Sequence, residues 1–368
     1  MRLRVSQGIA MNVAFPMLGL TGRPGGEKAI TRLADALTKK GHDVTIFVPE
    51  GKWNRSYQPL SKVTEVKLTP IIGPALPKIK TSKLVQTDML SALIPFAKRL
   101  HKFDAVVANF APTTLPVKLG LGKNAKGYYL VQHDETLFFP RYSLEYWIAK
   151  MSYRAFEDCH FFTVSGWLRD MIRERSGKEA IVIPPGINHE IFYPKPRKPH
   201  KGKQVMFMAR PLKWRGIEVL LAAMEKVNKE VLDVKLIATG KLEDSLKTSL
   251  PIEFINPPDE EMANWYSSVD VFVLPSLLEG MPAPPMEAMA SGGAVVLTDC
   301  MGTRDYAIDG ENCLMVPPGD ADALAQAITR VLTDDGLSQK LRSNGPRTAA
   351  PWTYERMERV FVEAFEKG

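Results

Sequence analysis

The chain has 368 residues, 45% of them apolar and 24% charged, with a formal net charge of +7. That length suits two ordinary domains, and the near-average composition excludes wholesale disorder. The absence of any run of about 18 apolar residues excludes a membrane-spanning helix. Three scattered cysteines (Cys159, Cys300 and Cys313) exclude a disulfide framework or a zinc knuckle and fit a reducing cytoplasm.

In chain order, residues 1–10 carry two arginines and no apolar core, so no secretory leader is expected. They have no partner in the scheme that follows, and read as a flexible extension, a start assigned too early, or an extra edge strand. Met11–Leu18 is a strand, a Gly-rich turn follows, and Lys28–Lys40 has apolar residues at helical spacing. Gly41 stops that helix and Val44–Val48 is the next strand. Asp104–Ala108, Gly127–Val131, Phe161–Val164 and Ile181–Ile183 repeat the strand signal. Residues 193–203, with three prolines and a run of basic residues, read as a solvated linker. The rhythm restarts with strand Val205–Ala209, helix Gly216–Lys229, and strands Val234–Ala238, Val271–Leu274 and Ala294–Leu297. This alternation predicts parallel, doubly wound sheets. The expected division is a first domain over 11–192, the linker, a second domain over 204–350, and a terminal helix over 351–368. That last helix, amphipathic through Trp352, Met357, Val360, Phe361 and Ala364, is expected to cross back to the first domain.

Charge is unevenly placed. Residues 1–190 hold 27 basic and 16 acidic residues, whereas 191–368 hold 21 and 25. Residues 51–102 alone carry 10 basic and 2 acidic residues, which points to an anionic partner for the first domain.

Three motifs carry chemistry. In D-V-F-V-L-P-S-L-L-E-G-M-P-A-P-P-M-E-A-M-A-S-G-G (270–293) a buried strand ends at Leu274. Glu279 then falls in a loop at a strand's carboxyl end, where open α/β sheets bind ligands. Pro284 and Pro285 suit a helix start, Glu287 is expected in its first turn, and the free N–H groups there would suit a phosphate. The bland alternative is a dipole-complementing Glu287 and a surface Glu279. In M-A-R-P-L-K-W-R-G (208–216), Arg210, Lys213 and Arg215 place three cations at a strand's carboxyl edge, either a pyrophosphate clamp or a solvated basic loop. The glycines from Gly19 to Gly26 allow close approach to a phosphate, but miss the spacing of the dinucleotide fingerprint.

With these residues in place, the chain resembles a GT-B glycosyltransferase of the large retaining family 4. Glu279 and Glu287 match that family's E-x7-E motif, and Arg210 and Arg215 match its phosphate-binding Arg and Lys. V-I-P-P-G-I-N-H-E-I-F-Y-P (182–194) and F-T-V-S-G-W-L (162–168) match two further segments. The likeness covers roughly 11–365, and residues 127–136 and 302–320 look most like bacterial polysaccharide transferases, rhamnosyltransferases among them. Two positions depart from the pattern. The family's Lys is Arg215, which keeps the charge and adds a planar fork. Its turn Asn is Pro185 and the following Asp is Asn188, which bear on the hinge.

The resemblance implies two Rossmann-like domains facing a central cleft, and transfer of a sugar from a nucleotide-diphosphate sugar to a glycan, glycolipid or lipid-linked acceptor. Glu287 would bind ribose hydroxyls and Glu279 the sugar's hydroxyls. Arg210 and Arg215 would neutralise the departing diphosphate, with Lys213 beside them. Gly280, Met281 and Pro282 would line the donor through backbone groups, Gly25 and Gly26 would approach its phosphate, and His133 would face the reacting sugar. A lone His after a strand is more often structural; the polar neighbours Gln132, Asp134 and Glu135 bring the functional reading level with the structural one. The nucleobase would lie near Phe254–Pro258. No cofactor and no metal are expected: Asp320 and Asp322 form a D-x-D, but Asp320 opens a helix and reads as its N-cap. No carboxylate stands out as a covalent nucleophile. The rivals are a GT-B epimerase or phosphorylase, an NAD-dependent dehydrogenase, and a nonenzymatic binder of nucleic acid or another anionic surface. The basic stretch 51–102 lacks the aromatic interleaving of a nucleic-acid site, so nucleic acid is not expected as a partner. An anionic membrane is, which puts the protein in the cytoplasm, peripheral at the inner face of the membrane.

Overall fold

The computed structural model describes residues 9–20, 25–68, 88–154, 159–210, 212–240 and 248–368. The expectation for 1–10 thus falls almost wholly outside the described residues, as does the centre of the basic stretch 51–102 and part of the first Gly-rich turn. The chain divides into two units, one of Met1–Pro184 with Met357–Gly368 and one of Pro185–Arg356.

The first unit contains β1 (Asn12–Pro16), α1 (Gly25–Lys39), β2 (Asp43–Pro49), β3 (Lys62–Val66), α2 (Asp88–Leu100), β4 (Ala105–Ala108), α3 (Ala111–Gly120) and β5 (Lys126–Val131). A 3-10 turn at Glu135–Phe138 leads to α4 (Leu144–Ser152), β6 (His160–Thr163), α5 (Gly166–Ser176) and β7 (Ala180–Val182). All its strand pairings are parallel, in the order β3-β2-β1-β4-β5-β6-β7.

The second unit contains β8 (Lys203–Ala209), a 3-10 turn at Lys213–Arg215, α6 (Ile217–Glu230), β9 (Val234–Gly240), β10 (Ile252–Ile255) and α7 (Asp259–Ser268). It continues with β11 (Val271–Leu274), α8 (Ala283–Ala290), β12 (Val295–Thr298), β13 (Leu314–Val316), α9 (Ala321–Thr333) and α10 (Asp335–Ala349). Its sheet is also parallel, ordered β10-β9-β8-β11-β12-β13. The last helix, α11 (Tyr354–Lys367), begins in the second unit, and from Met357 it belongs to the first.

Parallel strands covered on both faces need apolar side chains pointing both ways, which is why they read as unbroken apolar runs. In the second sheet Val205, Phe207, Val271 and Val273 enter one core, while Met206, Phe272 and Leu274 enter the other. The terminal helix closes the first unit through an aromatic stack. Phe365 lies 4.7 Å from Tyr128 and accepts a hydrogen bond from its hydroxyl at 3.1 Å, Phe361 meets Phe162 edge-on, and Arg32 pairs with Glu358 at 2.8 Å.

Residues 193–203, expected as a solvated linker, lie within the second unit and are tied down there. The Lys195 N–H donates to Ser267 Oγ at 3.2 Å, the Lys198 N–H to Ser268 Oγ at 3.1 Å, and Arg197 pairs with Asp270 at 3.2 Å. The boundary between units instead falls at Pro184–Pro185. Among the described residues no helix is long and apolar enough to cross a membrane.

Candidate active site

In the second sheet β8 and β11 are neighbours, but the chain leaves β8 toward β9 on one side and leaves β11 toward β12 on the other. This reversal opens a crevice at the carboxyl ends of the two strands, the usual ligand position in such sheets. Arg210 is the residue after β8, and Glu279 follows β11 by five residues.

The two connections are locked together by a glycine. Gly216, at φ +64°, ends the 3-10 turn and starts α6, and a Cβ there would stand 1.9 Å from the Pro275 carbonyl oxygen. The Leu277 N–H donates to Trp214 O at 2.7 Å across the same contact. Arg215 is thereby held over the 276–279 loop, where its guanidinium pairs with the Glu279 carboxylate. Both side chains are largely buried, at 16% and 5% exposure. Ser276 Oγ donates to the same Glu279 oxygen at 2.7 Å. The Glu279 N–H donates to Cys300 O at 3.0 Å, and a Cβ on Gly302 would meet Gly280 O at 2.3 Å, so the 300–302 loop seats this segment from the other side.

Arg210 is half-buried. Burial, and then the nearby Arg215 charge, push its guanidinium below the ordinary value, while Glu279 and Glu287 hold it up. Among the described residues the buried Arg215 Nε meets no hydrogen-bond partner. A guanidinium carries five N–H donors, and buried donors left unmade are costly. Two adjacent cations, one of them with a spare buried donor, therefore suit an anion with several acceptor oxygens. Lys213 is exposed on the turn between them.

Glu287 projects from α8, and the buried Tyr266 hydroxyl donates to it at 3.4 Å. Its position corrects two expectations. The helix begins at Ala283, so Glu287 lies beyond the first turn. The helix start is also poor in donors: Pro282 is its N-cap and Pro284 and Pro285 follow Ala283, so three of its first four positions carry no N–H. An anion here would have to rely on the arginines and the helix dipole, not on a row of backbone N–H groups. Gly280 and Pro282 are buried and Met281 is partly buried in the same segment.

In the first unit Gly25 and Gly26 are the exposed first two residues of α1. A Cβ on Gly26 would press on the Gln132 side chain at 3.2 Å, so that glycine and the end of β5 are neighbours. His133 follows β5, is buried, contacts Asp134 O through Nδ1 at 3.2 Å and lies 5.1 Å from the Phe138 ring. Its polar neighbours have structural work. Asp134 caps the 3-10 turn and takes a two-pronged ion pair from Arg175, at 2.8 and 2.7 Å. Glu135 is buried at the start of α3, where it accepts the Ala111 N–H, and burial raises its pKa to about 8.

Asp320 Oδ1 accepts the Ala323 N–H at 2.9 Å, the N-cap read from the sequence, and Asp322 pairs with Lys226. Ser276, Tyr266 and the 300–302 loop complete the site and were not read from the sequence; a serine three residues before a glutamate carries no spacing signal.

Residues 24–191 match the family described as Glycosyltransferase Family 4, and residues 202–334 match Glycosyl transferases group 1. The chain belongs to this glycosyltransferase family. The phosphatidyl-myo-inositol mannosyltransferase of Mycolicibacterium smegmatis is 34% identical over 188 residues, 47% of this chain and 48% of that one. The lipopolysaccharide core biosynthesis glycosyltransferase LpsE of Rhizobium meliloti is 24% identical over 348 residues, 89% of this chain and 91% of that one. The matched region spans about half the length of the first of these relatives. Sucrose-phosphate synthase from Thermosynechococcus elongatus has the same fold, with a TM-score of 0.78 at 20% identity over 97% of this chain and 98% of that one. Anabaena HepE, solved with UDP-glucose, aligns with a TM-score of 0.73 at 15% identity over 97% of this chain and 100% of that one. The family-4 glycosyltransferase chain thus has the two Rossmann-like domains of the GT-B fold.

Proposed function

We propose that the chain is a retaining, metal-independent glycosyltransferase that moves a sugar from a nucleoside-diphosphate sugar to a glycan, glycolipid or lipid-linked acceptor. The observation that carries this reading is the pair of neighbouring guanidiniums, Arg210 and Arg215, the second with a buried unmet donor, at the β8/β11 crevice. In glycosyl transfer, positive charge grows on the anomeric carbon as the diphosphate takes up negative charge. Preorganised cations stabilise that separation, and one well-aimed donor contributes about 2.7–4 kcal/mol. Arg210 and Arg215 hold the leaving diphosphate, and Lys213 adds long-range attraction from its exposed turn. Glu287 takes the ribose hydroxyls, Glu279 those of the transferred sugar, and the Gly280–Pro282 backbone lines both. On the first unit, Gly25 and Gly26 serve the donor phosphate and His133 the reacting sugar.

The fold neighbour solved with UDP-glucose supports a nucleotide-sugar donor. Relatives named for phosphatidyl-inositol mannosylation and lipopolysaccharide core biosynthesis support an acceptor in the cell envelope, and with it a peripheral place at a membrane. The test is release of nucleoside diphosphate from a panel of UDP-, GDP- and dTDP-sugars. Arg210→Ala and Glu287→Ala should each lose activity while still folding cooperatively in a thermal melt, and EDTA should leave wild-type turnover intact. Full activity in both variants refutes the donor-site assignment, and metal-restorable loss with EDTA refutes the metal-independent mechanism.

A further inference from the structure

Helix α4 has a polarity opposite to that of an ordinary surface helix. Its inner side buries Glu145, Ala149 and Ser152. Its outer side presents Leu144, Trp147 and Met151, which are 50%, 44% and 56% exposed. These three stand at helical spacing on one face, and Tyr142 just before the helix and Leu137 in the preceding turn are exposed as well. Singly exposed apolar residues need no explanation, but three on one helix face, one of them a tryptophan, with an exposed tyrosine just before them, do.

Within residues 136–154 the exposed charges have one sign. Arg141 lies over the Tyr142 ring at 5.2 Å and Lys150 over the Trp147 ring at 5.0 Å, while Arg154 donates from Nε to Arg175 O at 3.0 Å. Between residues 136 and 154 the exposed charged side chains are Arg141, Lys150 and Arg154, and the one carboxylate in that span, Glu145, is buried. A shallow cavity of about 340 Å³ opens beside Trp147, Lys150 and Met151. Tryptophan and tyrosine favour the boundary between acyl chains and headgroups, and arginine and lysine reach outward from there to lipid phosphates.

We propose that α4 and the turn before it form the face by which the chain lies on an anionic phospholipid bilayer. Leu144, Trp147 and Met151 enter the headgroup boundary, and Arg141, Lys150 and Arg154 meet lipid phosphates. The occupant follows from charge complementarity joined to an apolar centre: a water-facing protein surface would supply no apolar phase for Leu144 and Met151, and a neutral bilayer would leave the three cations unanswered. This surface differs from the basic stretch 51–102 that the sequence singled out. It stands independently of the transfer reaction, because vesicle binding needs neither donor nor acceptor.

The test is flotation of the full chain with vesicles of phosphatidylcholine alone or mixed with phosphatidylglycerol, at low and high salt. Wild type should bind the mixed vesicles in a salt-sensitive way. A cation near an anionic surface contributes roughly fivefold in partition, so Arg141→Gln, Lys150→Gln and Arg154→Gln together should lower binding about a hundredfold. Trp147→Ser with Met151→Ser should lower it at least about tenfold, with the remaining binding still salt-sensitive. All five side chains are exposed, so the variants should melt like wild type. The control Lys62→Gln with Lys67→Gln, in the basic stretch, should bind normally. The proposal is overturned if wild type ignores anionic lipid, if the α4 variants bind like wild type, or if the control pair alone abolishes binding. It is also overturned if light scattering finds a dimer that the α4 variants dissociate, because the face would then belong to a second copy of the chain.

Discussion

Removing the charge of Glu279 should make the protein less stable and a better binder of nucleoside diphosphate at once. In Glu279→Gln the side chain keeps its shape, so the Ser276 hydroxyl and one Arg215 N–H retain an acceptor. What goes is the charge assistance. Hydrogen bonds to charged groups contribute about 1.5–3 kcal/mol against about 0.5–1.5 for neutral ones, so that loss is on the order of 1 kcal/mol. Arg215 is then left as a largely buried cation, which raises the cost toward about 2 kcal/mol, below the roughly 3–5 of outright removal of a partner. For a unit the size of Pro185–Arg356 that lowers Tm by about 4–8 °C. The effect on the ligand has the opposite sign. The crevice holds Arg210 and Arg215 against Glu279 and Glu287, and the substitution leaves one cation in excess. A unit charge about 8 Å from the diphosphate repels it by roughly 2 kcal/mol at an effective dielectric constant near 20, so affinity should rise about tenfold or more. Sugar transfer should nevertheless fall, because Glu279 is assigned to the sugar's hydroxyls. Calorimetric titration with UDP, GDP and dTDP, beside a thermal melt and a transfer assay, reads all three quantities. Unchanged or weaker diphosphate binding would refute the placement of the phosphate beside Glu279, and an unchanged Tm would refute the ion pair's structural role.

Two further outcomes follow from buried groups. Arg342 on α10 is 8% exposed and donates to the carbonyl oxygens of Ser267, Gly292 and Asp270 at 3.2, 3.1 and 3.1 Å; Arg342→Ala should cost about 3–5 kcal/mol by chemical denaturation, and a loss below 1 kcal/mol would contradict this. Burial holds Glu135 neutral with a pKa of about 8, so the folded chain keeps a proton that the unfolded chain has released above its ordinary carboxylate range. Stability should therefore fall by about 1 kcal/mol per pH unit as pH rises from about 5 to 8, then level off. Glu135→Gln should flatten that slope in urea titrations, and a wild type whose stability does not change across this window contradicts the assignment.

The parts of the fold that were legible in the sequence are those in which burial acts on both faces. Val271–Leu274 is fully buried and was read residue for residue. The edge strands β3 and β10 were not read, because water replaces one neighbour and the apolar run dissolves: of Lys62–Val66 only Val66 is buried, and none of Ile252–Ile255 is. Residues 193–203 have the composition of a linker, but hydroxyls of Ser267 and Ser268, about seventy residues away, hold their backbone. At the candidate site the spacing of Arg210, Arg215, Glu279 and Glu287 was visible. The pairing of Arg215 with Glu279 was not, since it depends on the Gly216–Pro275 contact between two distant segments. The shortage of N–H donors at the start of α8 was present in the letters, because proline at 282, 284 and 285 removes them whatever the fold.

The most direct test of the donor-site reading is calorimetric titration of nucleoside diphosphates into the full chain and into Arg210→Ala, with EDTA present throughout. Wild type should bind at least one nucleoside diphosphate without added metal, and Arg210→Ala should bind it at least about tenfold more weakly, the loss of one charge-assisted contact. Equal affinity in the two proteins, or no binding until a divalent metal is supplied, would contradict a diphosphate held by the arginines of the β8/β11 crevice.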